Sequence, residues 1–174
     1  DELMGMKEIR DAADVEKIVS AAVKQALGKR TCVRKEHAVT LACAEAVIKK
    51  VFEEAAAMGL NAIAAVADEG ANTVAAMRMD GAILASYDIA VNKAYTSVAL
   101  KMPTEKLAEL AAPGGELYGI QHTNGGKIVI FGGGEPLYLG GEVVGAIGVS
   151  GGTLKQDTEL AKAGRKYWEN VICH

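Results

Sequence analysis

Residues 131–157 read FGGGEPLYLGGEVVGAIGVSGGTLKQD, and this stretch decides how the chain is expected to fold. Gly140-Gly141 separates two apolar runs and predicts a two-residue hairpin turn, because such turns need positive φ at their centre. We expect a short strand before the turn and a longer, buried strand from Val143 to Val149 after it. Two antiparallel neighbours in a sheet follow from this pattern.

The glycine elbow after the second strand has two interpretations. Thr153 and Gln156 fit a capping box, so a helix should begin directly after the elbow. A glycine-rich turn before a helix can bind an anion, because free N–H groups and the helix dipole point to the same place. The lysine that ends a phosphate-binding loop is missing, so a purely structural turn is the alternative. Both interpretations apply to two glycine-rich sets: Ser150, Gly151 and Gly152, and Gly132, Gly133 and Gly134.

The rest of the chain predicts more helices and strands, read from the period of its apolar residues. Residues 112–126 are expected to form a long loop. Together with the hairpin, the elements give an α+β fold with a five-stranded antiparallel sheet packed against helices. The predicted helices are Thr40 to about Met58, Ile83 to about Lys101, Thr104–Ala111 and Leu154 to about Trp168, and the other predicted strands are Asn61–Ala67, Thr73–Met79 and Lys127–Phe131.

A separate element is predicted near the start of the chain. Residues Val15–Leu27 have the spacing of an amphipathic helix, and a basic linker follows. We therefore divide the chain into residues 1–36, the N-terminal helix and linker, and residues 37–174, the main domain. The helix either packs on the main domain or docks in a groove of a partner protein.

Composition excludes several classes of protein. A net charge of −3 over 174 residues does not favour nucleic-acid binding, which needs a basic face. The apolar stretches are too short and too interrupted to span a membrane. Cys32, Cys43 and Cys173 are odd in number and widely spaced, which indicates a reducing cytoplasm and not a disulfide framework. We expect a cytoplasmic protein with neither nucleic-acid nor membrane partners.

Six segments resemble one known family. The sequence resembles the GlcG/HbpS family, whose domain also forms the C-terminal end of PduO-type proteins, over about residues 38–168. The resemblance implies a profilin-like α/β/α sandwich that forms homo-oligomers. It also implies a small-ligand protein that binds haem or a corrinoid and is accessory to diol, glycerol or glycolate-type metabolism. The segments are Ala57–Leu60, Met79–Ala82, Asn92–Thr96, Pro113–Ile120, Phe131–Leu137 and Gly145–Asp157.

A polar stripe on the predicted long helix supplies candidate ligand-binding residues. Lys93 lies among apolar residues and beside Asn92, so it could hold a carboxylate such as a haem propionate or act as an acid or base. The alternative is a stripe that faces solvent or another subunit. Asn124, in the loop, joins these two residues as a predicted ligand contact.

Haem would need an axial ligand, and a histidine is the expected type. His122, in the long loop near the glycine-rich stretch, is the first candidate and His37 the second. No Cys-x-x-Cys-His motif for covalent attachment occurs in the sequence, so the haem would be exchangeable. An alternative function is an enzyme or auxiliary factor for a small oxygenated metabolite, with Lys93 and Asp68 as polar groups. In either case Val15–Leu27 could dock on a shell protein of a bacterial microcompartment.

Overall fold

The computed structural model describes residues 38–173. The predicted helix Val15–Leu27 and His37 lie outside the described residues. Four α-helices, four strands and short helical turns follow one another, and none of the described helices has the length and apolar character to cross a membrane. In chain order they are α1 (Leu41–Ala57), β1 (Ile63–Asp68), β2 (Thr73–Arg78), α2 (Ser86–Ala99), α3 (Thr104–Leu110), the 3₁₀ turns Ile120–His122 and Asn124–Gly126, β3 (Gly134–Leu139), β4 (Glu142–Ser150), α4 (Leu154–Tyr167) and the π-helical turn Trp168–Ile172.

The sheet is antiparallel with the strand order β2-β1-β4-β3. β1 pairs with β2 through a tight hairpin and with β4 from Ile63 opposite Ser150 to Asp68 opposite Gly145. The predicted hairpin between β3 and β4 is confirmed, with Gly140 and Gly141 at φ values of 59° and 84°. These positive angles fit the turn type whose twist matches that of the strands.

The predicted five-strand count is not confirmed, because the structure has four strands within residues 38–173. The predicted strand Lys127–Phe131 is not a strand in the structure, because Lys127 has helical backbone angles and residues 128–131 pair with no strand of the described sheet. Its backbone is bonded to a helix side chain instead, since Val129 N donates to Thr96 Oγ1 at 3.0 Å and Lys127 O accepts from the same hydroxyl at 3.3 Å. The apolar run therefore crosses α2 as a strap and does not extend the sheet.

Helices cover both faces of the sheet. α1 and α4 pack on one face, where residues such as Val47, Leu160 and Ile147 form the larger core cluster. α2 packs on the other face, where Ala90 meets Ile63 and Ala65. Successive strand residues alternate between these two cores, as the pleat of a strand requires. The arrangement is a three-layer α/β/α sandwich.

α2 lies unusually close to the sheet because glycines face it. A Cβ on Gly148 would overlap the carbonyl oxygen of Ala90 and come within 2.6 Å of Ala94 N. A Cβ on Gly134 would come within 2.7 Å of Lys93 O. Side chains at these two strand positions would push the helix outward, so the glycines set the spacing between the two layers.

Candidate functional site

Lys93 makes a buried ion pair at the end of β4. Its side chain has no exposed surface, and Nζ donates to Asp157 Oδ2 at 2.7 Å and to Val149 O at 2.8 Å. The Phe131 ring centroid lies 5.3 Å from the same nitrogen, within the distance for a cation–π contact. Burial lowers the pKa of Lys93, and the carboxylate of Asp157 partly opposes that shift. Contact between Lys93 and a ligand stays a prediction, but the ammonium group already donates to Asp157 and to the Val149 carbonyl.

Asp157 also closes the glycine elbow. Gly152 N donates to Asp157 Oδ1 at 2.8 Å, and Thr153 and Gln156 form the predicted capping box. The carboxylate thus takes the position at the N-terminus of α4 where an external anion would bind. Ser150 is buried as well, with its hydroxyl 3.1 Å from Ser86 Oγ. These bonds support the structural interpretation of Ser150–Gly152.

The three glycines at 132–134 lie close to α2 and α4, and Gly133 lies against the ion pair itself. A Cβ on Gly133 would come within 2.6 Å of Lys93 Nζ and 2.9 Å of Asp157 Cβ. Gly134 N donates to Thr104 Oγ1 at 2.8 Å. The glycines therefore let the backbone pass close to a buried charge, and all three are themselves buried. Ligand contacts at Gly132, Gly133 and Gly134 remain predictions.

The long loop forms a second polar group on the outer side of α2. Asn124 Nδ2 donates to Tyr95 OH at 3.1 Å, and Lys127 Nζ lies 5.4 Å from the centroid of the Tyr95 ring. His122 precedes them in the loop, and Asn124, Lys127 and His122 are all exposed. We call Tyr95, His122, Asn124 and Lys127 the loop cluster. Neither Tyr95 nor Lys127 was predicted as a site residue, because Tyr95 falls on the apolar stripe of its helix and Lys127 begins a predicted strand.

Two other predicted residues have local structural roles. Asn92 is half-buried, and its carbonyl accepts from Thr96 Oγ1 at 2.7 Å. Asp68 Oδ1 accepts from the backbone N–H groups of Gly70 and Asn72, each at 2.9 Å, and so closes the loop between β1 and β2. Among the described residues, no group of three His, Cys, Asp or Glu side chains could hold a metal ion.

A small pocket lies between α3 and α4 and has a volume of about 270 Å³. Phe131 and Gly132, from the predicted glycine-rich segment, line it together with Thr158. The other lining residues are Glu105, Ala108, Leu154 and Lys155. The lining is mainly apolar and carries charged groups of both signs, which suits a small ligand with an apolar part and a few polar atoms.

Glu135 is a buried acid that the sequence argument did not single out. Only 1% of the residue is exposed, and Oε2 accepts from Arg165 Nη1 at 3.2 Å. Oε1 has no hydrogen-bond partner within residues 38–173. Burial raises the pKa of Glu135, while the Arg165 guanidinium opposes the rise. Arg165 is shared with Glu169, whose Oε1 lies 2.8 Å from Arg165 Nε.

Comparison with known proteins identifies the family. The family model described as "Haem degrading protein HbpS-like" matches residues 39–166. The chain belongs to the HbpS-like family. The predicted resemblance is thereby confirmed. An uncharacterized 15.0 kDa protein from the dhaT-dhaS intergenic region of Citrobacter freundii is 45% identical over 124 residues, which are 71% of this chain and 87% of that protein.

Other HbpS-like relatives carry more specific names. Corrinoid adenosyltransferase PduO of Salmonella typhimurium is 36% identical over 66% of this chain, but the match spans only 34% of that protein. The crystal structure of PduOC in complex with haem is 32% identical, with a TM-score of 0.67 and coverage of 69% of this chain and 87% of that one. A double mutant of Streptomyces reticuli HbpS is also 32% identical, with a TM-score of 0.68 and coverage of 74% and 85%.

The buried ion pair gives a prediction for stability. Lys93→Met or Asp157→Asn alone should destabilise the protein by about 3–5 kcal/mol, because each leaves a buried polar group without its partner. The double variant Lys93→Met/Asp157→Asn should lose much less than the sum of the two losses. Urea unfolding of the three variants measures this coupling.

The exposed pair Lys162–Glu105 is the matched control, since its side chains are 52% and 53% exposed at a distance of 2.6 Å. Lys162→Met should change the free energy of unfolding by no more than about 1 kcal/mol. Additive losses at Lys93 and Asp157 would show that the two groups do not depend on each other.

Glu135 predicts a pH effect. Since the folded protein raises the pKa of Glu135 above its ordinary value of 4.5, the folded state holds this proton more tightly than the unfolded state. The contribution of Glu135 to the free energy of unfolding is fully present below pH 4.5 and is lost as the pH rises through the raised pKa. Glu135→Gln, which stays neutral, should therefore gain stability relative to the wild type over that pH range. Urea unfolding at a series of pH values tests this.

Glu169→Gln is the control for Glu135→Gln, because Glu169 contacts the same Arg165 but is far more exposed. The free energy of unfolding of Glu169→Gln, relative to the wild type, should not increase as the pH rises. If Glu135→Gln instead becomes steadily less stable than the wild type as the pH rises, attraction to Arg165 outweighs the cost of burial.

Proposed function

We propose that this chain is a homo-oligomeric protein that binds haem or a corrinoid and serves diol, glycerol or glycolate-type metabolism. The observation that carries the proposal is the haem complex of PduOC, because this chain matches 87% of that protein at 32% identity. The family description and the similarity to HbpS support the same ligand. The named PduO relatives support the link to corrinoids.

The loop cluster is the part of the described chain that suits haem. His122 offers an exposed imidazole, the usual type of axial ligand for haem iron. Lys127 places an exposed ammonium over the Tyr95 ring and could pair with a propionate, whereas the ammonium of Lys93 is already paired with Asp157. Asn124 adds an amide at the same place. Haem, when bound, would supply a redox-active iron, and the chain would supply its axial nitrogen and a cation for its carboxylates.

His37 remains the second candidate for the axial ligand. It lies outside the described residues, so its relation to the loop cluster is tested by mutation. His174, near the C-terminus, offers a third imidazole that we assign no role.

A second candidate function is an enzyme or auxiliary factor acting on a small oxygenated metabolite. The pocket between α3 and α4 favours this function, because about 270 Å³ suits a small metabolite better than a tetrapyrrole. Thr158 and Glu105 would supply its polar contacts. Phe131 would form part of the apolar wall.

We also propose a location. The PduO relatives and the amphipathic spacing of Val15–Leu27 support a cytoplasmic protein carried inside a bacterial microcompartment, with that helix docked on a shell protein. The apolar face of such a short helix needs a protein surface to cover it, because short helices are marginally stable alone.

Haemin titration tests the ligand and its axial residue. The wild-type chain should give a saturable shift of the Soret band. His122→Ala should weaken binding by at least about tenfold, or change the spectrum, because a coordinate bond to the iron is lost. His174→Ala is the matched control and should leave both unchanged.

The outcomes of the titration separate the alternatives. If haemin binding is lost in His37→Ala but not in His122→Ala, His37 is the axial ligand. A wild-type chain without a saturable Soret shift contradicts haem binding. If the melting temperature of that chain rises with glycerol or propanediol, mass action favours the second function.

A reporter fusion tests the location. Residues 6–36 fused to a fluorescent protein should form foci that coincide with shells in cells producing microcompartments. Replacing Ile18 and Val23 with Glu should disperse the foci, because both lie on the apolar face of the predicted helix. Diffuse fluorescence of the unaltered fusion beside intact shells would contradict docking.

A further inference from the structure

We propose that strand β2 pairs with β2 of a second copy of this chain, so that two four-stranded sheets join into one across a two-fold axis. The inference rests on the proposed homo-oligomer and identifies the surface that forms it. It starts from the difference between the two edges of the sheet.

The β3 edge is blocked. Gly134 N donates to Thr104 Oγ1 at 2.8 Å, and Tyr138 O accepts from Trp168 Nε1 at 2.8 Å. Pro136 has no N–H to offer. Helices and their side chains thus occupy the backbone groups that another strand would need, which is a common way to protect a sheet edge.

The β2 edge is open within the described residues. Met79 N donates to Ala62 O, and Ala64 lies opposite Met77. Because bonded positions alternate along an antiparallel strand, the N–H and C=O groups of Ala76 and Arg78 point away from β1, whereas a bulge interrupts the alternation at Val74. The outward backbone groups of Ala76 and Arg78 have no hydrogen-bond partner among residues 38–173. The strand has no proline or lysine, and the features that could protect its edge are Arg78 and the bulge near Val74.

The sequence of β2 suits a second copy of itself. Antiparallel pairing centred on Ala76 places Ala76 opposite its own symmetry mate, and this register pairs most of the strand. Arg78 then lies opposite Val74 of the other copy, and Asp80 lies opposite Asn72. No like charges face each other, whereas a register centred on Arg78 would oppose two guanidinium groups. Charge excludes the register centred on Arg78, and the register centred on Ala76 pairs more of the strand than the one centred on Val74; the interface is isologous.

An exposed apolar surface continues beside this edge. Ile83, Leu84 and Tyr87 are 65%, 83% and 45% exposed. They belong to the segment whose Ala82 and Val91 pack into the same small core as Ala76. A second copy joined at β2 would approach this surface, so pairing offers both backbone hydrogen bonds and apolar burial.

Disulfide trapping of the full-length chain tests the proposal. In a background with Cys32, Cys43 and Cys173 changed to Ala, Ala76→Cys should place two thiols across the axis. Directly opposed Cα atoms of a bonded pair lie about 5.5 Å apart, within the range that a disulfide spans. Oxidised glutathione is the oxidant: the two thiols form a disulfide, and each oxidised glutathione is reduced to two molecules of glutathione. The expected result is a doubling of apparent mass on a non-reducing gel, reversed by dithiothreitol.

Val74→Cys in the same background is the matched control, because Val74 faces Arg78 of the other copy and not itself. It should give little dimer alone, and mixing it with Arg78→Cys should restore the cross-link. Light scattering of the wild type measures the assembly independently, and circular dichroism confirms that each variant is folded.

The outcomes are distinguishable from those of the proposed function. A wild-type oligomer whose folded Ala76→Cys variant fails to cross-link overturns β2 pairing but leaves the homo-oligomer intact. A monomeric wild type overturns both, as would be expected if residues 1–37 of the same chain covered the edge. Equal cross-linking of Val74→Cys and Ala76→Cys overturns the register. Haemin binding is independent of all three results.

Discussion

The ion pair between Lys93 and Asp157 organises the centre of this domain. Lys93 comes from the helix on one face of the sheet, and Asp157 lies in the first turn of a helix on the other face. The two charges meet at the end of β4, where a backbone carbonyl and N–H complete their hydrogen bonds. Burying charges is costly, so such a pair persists where these additional bonds are in place. Gly133 is a consequence, because a Cβ there would come within 2.6 Å of the ammonium nitrogen.

Local sequence signals accounted for much of the fold. The hairpin at Gly140-Gly141 and the helix start at Thr153 were predictable because their turn chemistry lies within a few residues. The predicted fifth strand is not found in the described sheet, for a different reason. Residues Lys127–Phe131 have the apolar run of a strand, but their hydrogen-bond partner is the hydroxyl of Thr96, which is distant in sequence. No periodicity in the run itself distinguishes a strap over a helix from a strand in a sheet.

The candidate site was predictable only in part. Lys93 stood out as a charge on an apolar helix, but the partner that its ammonium group contacts, Asp157, is 64 residues away in sequence. An acid in the first turn of the last helix was the available signal for that partner. The loop at residues 112–126 was predicted from the sequence, whereas the contact of Tyr95 with Asn124 depends on how the loop returns to α2. Tertiary contacts of this kind leave no trace in local composition.

The strand order has a consequence for how the chain folds as it is synthesised. β1 pairs with its neighbour β2 at once, but its other partner, β4, is made only near the end of the domain. Long-range pairing of this kind is slow, because a large loop must close before the contacts form. During translation both edges of the β1–β2 hairpin therefore stay unpaired until β4 has been synthesised. Chaperone binding and premature association between nascent chains should concentrate on that interval.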